Sequence, residues 1–70
     1  MTNEKKLDLI KTYIDDIKNY REDKSLSVDK KQQLERALSV YNELYTDAER
    51  GKIDPDILHE NITSFLYMLQ

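Results

Sequence analysis

Residues 27–51, SVDKKQQLERALSVYNELYTDAERG, carry a start signal and a stop signal for one helix, with an unbroken helical period between them. No other stretch restricts the fold as much. The Ser27 hydroxyl can accept from the free backbone N–H groups of a first turn, and Asp29 places negative charge at the positive end of the helix dipole. Gly51 is the only glycine. It follows Arg50, which suits a left-handed residue just past a helix end with a cation in the last turn. At about 100° per residue, Leu34, Ala37, Leu38, Val40, Tyr41, Leu44, Tyr45 and Ala48 fall within roughly 160°. That arc exceeds the seam that one neighbour fills. The pattern therefore predicts a helix over 28–50 with a partner helix on each flank, and makes it the organiser of the fold. Leu38 is expected in the core, with Leu38→Ala costing on the order of 2 to 5 kcal/mol. Glu35, Arg36, Glu43 and Arg50 fall on the opposite, solvated face.

The flanking segments supply the two partners. Thr2 or Asn3 can cap a helix that opens with Glu4, after which Leu7, Ile10, Ile14 and Ile17 recur at three- and four-residue steps. Leu9, Tyr13 and Tyr20 widen that stripe on one flank, while Asp8, Lys11, Asp15 and Asp16 belong to the polar face, with Asp8 and Lys11 spaced to pair. This predicts a helix over 3–22. The short EDKSLS stretch turns the chain back, and Leu26 is expected to tuck inward. Downstream, Asp54 caps, Pro55 takes the first helical position with its φ already suitable, and Asp56 favours the dipole. A helix over 55–69 follows, with Ile57, Leu58, Ile62, Phe65, Leu66, Met68 and Leu69 on its apolar face and Asn61 inside that face. Tyr67 points away from it. The fold class is all-α: an antiparallel three-helix bundle forming a single domain over 1–70.

Composition narrows function mainly by exclusion. A formal charge of −3 and a pI of about 5.0 argue against a nucleic-acid partner, because phosphate binding needs a basic surface. With no cysteine, disulfides, zinc thiolates and thiol catalysis are ruled out. The opening residues lead into charge, so no secretory signal is expected, and no segment has the roughly 18 unbroken apolar residues of a membrane span. A cytoplasmic location is the expectation. The heavy use of Lys, Ile, Asn and Tyr suggests a bacterial or phage genome.

Site chemistry is sparse. His59, the single histidine, sits at the edge of the last stripe near Ile62, Thr63 and Leu66, without a second histidine or a cysteine to share a metal. Asp54 and Asp56 resemble the start of a calcium loop, but Leu58 stands where the next oxygen ligand belongs and no glycine follows. Asp15 and Asp16 diverge on one helix, and no serine has a histidine at a useful spacing. Neither catalysis, a cofactor, a metal nor a small-molecule substrate is expected. Lys24, Lys30 and Lys31, near Arg21 and Lys18, read as a solvated patch, the alternative being an acidic partner or a membrane surface. The uncharged closing segment NITSFLYMLQ reads as a buried helix or as a face that meets a partner or a second copy, with Tyr67, Leu66, His59 and Thr63 as the candidate contact residues.

The stretch from Leu34 to Leu69, LERALSVYNELYTDAERGKIDPDILHENITSFLYML, is similar to the later helices of the immunity proteins that protect producers of pediocin-like bacteriocins. Those also pair an amphipathic helix rich in Leu and Tyr with a charged turn and a closing helix of Leu, Ile and aromatics, in a four-helix chain longer than this one. The resemblance implies a cytosolic antiparallel bundle that guards a sugar-permease receptor, with specificity near the last helix. From the sparse site chemistry, the uncharged closing helix and the tyrosines, the leading expectation is a non-enzymatic interaction module, a regulator or immunity-type factor that presents one helical face to a protein partner. The alternative is a self-associating structural module of bacterial or phage origin.

Overall fold

The computed structural model describes residues 2–69 and contains three helices in sequence, α1 (Asn3–Arg21), α2 (Val28–Glu49) and α3 (Pro55–Leu69). The expected bounds hold to within one residue. Each start is made by the side chain that suits it. The Thr2 hydroxyl accepts from the Lys5 amide and the Ser27 hydroxyl from the Lys30 amide. Asp54 Oδ1 accepts from the Asp56 amide at 2.9 Å. α2 ends in a Schellman turn: the Lys52 amide donates to the Asp47 carbonyl at 2.8 Å and the Gly51 amide to that of Ala48 at 3.1 Å. Gly51 has φ +76°, the left-handed geometry this turn demands. Between α1 and α2, Asp23 Oδ1 accepts from both the amide and the hydroxyl of Ser25, a local turn that reverses the chain without glycine.

The chain runs up, down and up, so α1 and α3 are parallel. Lys6 near the start of α1 forms an ion pair with Asp56 in the first turn of α3. At the other end the Tyr20 hydroxyl donates to the Leu69 carbonyl at 3.1 Å. A single core joins Ile10, Ile14 and Ile17 of α1, Leu34, Tyr41 and Ala48 of α2, and Leu58 and Ile62 of α3, with Leu26 packed against it from the turn.

The organiser is α1, not α2. α1 packs along both other helices, whereas α2 and α3 meet over only a short stretch. The buried residues of α2, Leu34, Tyr41 and Ala48, are spaced seven apart and form one narrow line. Val40, at 52% exposure, lies outside the core despite its place in the apolar arc. Leu38 is half-buried, so its truncation costs less than that of a fully enclosed leucine. Across the α2–α3 seam the rings of Tyr41 and Phe65 meet edge to face with centroids 5.6 Å apart, while the enclosed stripe that α1 brings to the core is isoleucine. Similarly, Ile57 and Met68 of α3 are exposed at 67% and 81%, because with α2 standing off nothing covers the outer half of the apolar face of α3. The ion pairs among the described residues are Lys6 with Asp56 and Arg21 with Glu35; the expected pairing of Asp8 with Lys11 does not form.

Candidate functional site

α3 positions all four residues singled out from the sequence, and parallel packing on α1 decides their surroundings. Tyr67 is 80% exposed, as its place on the wheel required. Leu66 is half-buried and packs against the core. Thr63 donates its hydroxyl to the His59 carbonyl at 2.9 Å and to that of Glu60 at 3.0 Å, the back-bonding by which a helical threonine satisfies itself. His59 is half-buried, its ring 5.6 Å from that of Tyr13 and tilted by 59°.

Thr63, Leu66 and Tyr67 line one wall of a groove of about 430 Å3, whose other wall is Tyr13, Asp16 and Tyr20 of α1, with Leu69 at one end. His59 borders it by its contact with Tyr13. The contribution of α1 escapes a reading of the sequence that assigns Tyr13 and Tyr20 to the core flank and Asp16 to solvent. A signal for it does exist. Tyr13, Asp16 and Tyr20 are spaced three and four apart, which puts a carboxylate between two phenol rings on one face. Only the partner helix turns that face into a wall.

A second groove, of about 540 Å3, lies where α2 and α3 diverge, with Tyr41, Asn61, Phe65, Ile57 and Met68 in its lining. At its floor the Tyr41 hydroxyl donates to Asn61 Oδ1 at 2.7 Å, which explains an amide inside an apolar face. Burial pushes the Tyr41 phenol pKa above its ordinary value. Burial also raises that of Tyr45, followed by the carboxylates of Glu49 and Asp8. The two hydrogen bonds from Ser25, backbone first, hold Asp23 below the usual carboxylate value.

Among the described residues no group of three or more His, Asp or Glu side chains is placed to hold a metal. No helix there is long and apolar enough to cross a membrane. Comparison with known proteins found no matching family model, no similar curated protein and no similar solved structure.

Proposed function

We propose that this chain is a small non-enzymatic interaction module that presents the outer face of α3, together with the adjoining flank of α1, to a protein partner in the cytoplasm. One observation carries the reading. α3 has no charged side chain from Asn61 to Leu69, yet Tyr67 and Met68 within that stretch are exposed at 80% and 81%. Exposed aromatic and sulfur side chains on a stretch of helix that itself carries no charge are the composition of an interface core. Capture experiments in the native host with wild type and Tyr67→Ala test it. Wild type is expected to retain a partner that the variant loses; recovery of the same proteins by both, or of none, removes α3 from the role.

The immunity-type role implied by the resemblance is one specific form of this reading. Its support is the all-α bundle and the exposure of Tyr67 and Met68 on the last helix. Expression in a strain sensitive to pediocin-like bacteriocins should then protect it. A second reading, self-association, is favoured by the open groove between α2 and α3, where Ile57 and Met68 lie exposed. Light scattering over a concentration series separates the two, since a strict monomer eliminates the homo-oligomer.

A further inference from the structure

The groove between α1 and α3 combines three features that favour one kind of guest. Its lining is dominated by phenol rings, from Tyr13 and Tyr20 on one wall and Tyr67 on the other. Ring faces attract cations through their quadrupole. Among the described residues its single charged lining residue is Asp16. The helical neighbours of Asp16 at three and four residues are Thr12, Tyr13, Asn19 and Tyr20, all uncharged, and neither ion pair among the described residues involves it. The groove also runs to the C-terminal, negative end of the α3 dipole, whose last turn contains no basic residue. Rings, carboxylate and dipole all select for positive charge, and among the described residues no cation lines the groove.

We propose that this groove receives one arginine side chain from a basic segment of a protein partner. The inference rests on the interaction reading above and names the chemistry of the partner. Arginine fits better than the other organic cations for two geometric reasons. Its planar guanidinium lies flat on a phenol ring while its edge gives a carboxylate two parallel hydrogen bonds. The alternation of Tyr13, Asp16 and Tyr20 offers both kinds of contact within two turns of α1. A quaternary ammonium has no donor for Asp16, and a lysine ammonium, as a point charge, cannot stack. Tyr20 is fixed for the task by its bond to the Leu69 carbonyl, and Tyr13 by the His59 ring. Tyr67, exposed on the facing wall, offers a third ring to the guest.

The test is a titration of the isotopically labelled full chain with N-acetyl-arginine amide, followed through the backbone amide signals by NMR. Saturable shifts are expected at Tyr13, Asp16, Tyr20, Thr63 and Tyr67. N-acetyl-citrulline amide, the neutral isostere, should bind roughly tenfold more weakly or worse, in keeping with the loss of a charge-assisted bond. Asp16→Asn should weaken the arginine probe by roughly tenfold, and Tyr67→Ala by about two- to fivefold, the worth of one exposed cation–π contact. Both side chains are exposed, and the same spectra report whether each variant stays folded. Absence of saturable shifts, equal binding of citrulline, or tighter binding of tetramethylammonium than of arginine overturns the proposal. A capture that depends on Tyr67 combined with a blank arginine titration sinks this inference alone. A positive titration with a capture indifferent to Tyr67 sinks the interaction reading and leaves the arginine site intact.

Discussion

Leu34 and Leu38 lie one helical turn apart on α2, and the core treats them differently: Leu34 is fully enclosed at 0% exposure while Leu38 is half-buried. Leu34→Ala leaves a cavity in the enclosed core and should cost on the order of 2 to 5 kcal/mol. For a chain of this size, total stability is about 4 to 10 kcal/mol, so that single truncation removes a large share. Leu38→Ala should cost distinctly less. Urea denaturation of the two variants side by side checks the order, and equal losses would contradict the burial difference. At this scale the sequence is legible where a residue sits at the middle of its stripe, as Ile10, Ile14, Ile17, Leu58 and Ile62 do, and illegible at the edges. Val40 and Met68 have the hydrophobicity of core residues, but only a neighbouring element could cover them, and none does. Tyr67 was legible because the helical wheel alone turns it away from the buried line of Leu58 and Ile62.

Helix ends were the most readable features, because capping is satisfied within a few residues of chain. Ser27, Asp54 and Gly51 each perform the part their residue type dictates. At Gly51 an added Cβ would meet no atom within 4 Å, so any penalty there comes from the left-handed backbone and not from crowding. Gly51→Ala should therefore lower stability by about 1 to 2 kcal/mol, and Gly51→Asn by less, since asparagine tolerates that conformation. Thermal denaturation of both variants measures the difference; an alanine variant as stable as wild type would show that the Schellman turn does not constrain the end of α2. The width of an apolar arc was a fair guide to contact and a poorer one to full enclosure. Of the roughly 160° arc on α2, Leu34, Tyr41 and Ala48 are fully enclosed, Ala37, Leu38, Leu44 and Tyr45 pack partly buried against the core, and Val40 lies outside it.

For the molecule as a whole, the asymmetry of packing sets a hierarchy of stability. α1 has its Ile10, Ile14, Ile17 stripe enclosed by both other helices, whereas α2 and α3 leave a groove between them. Native-state hydrogen exchange should find the slowest amides around Ile10 to Ile17, with earlier opening along the α2–α3 seam. Slowest exchange centred on α2 instead would restore it as the organiser. The candidate site follows from the same arrangement. Its α3 half could be read from the chain because Thr63, Leu66 and Tyr67 share one helix; its α1 half could not, because two parallel helices from opposite ends of the sequence must pack before Asp16 faces Tyr67. The sequence by itself determined the number of helices, their ends and the polarity of their faces, all of which depend on contacts a few residues apart. Tertiary structure alone decided which helix lies at the centre and which side chains share a groove, because those outcomes depend on how closely side chains of different shape allow two helices to approach. The stripe enclosed along α1 is isoleucine, and the short seam of α2 with α3 is closed by the rings of Tyr41 and Phe65.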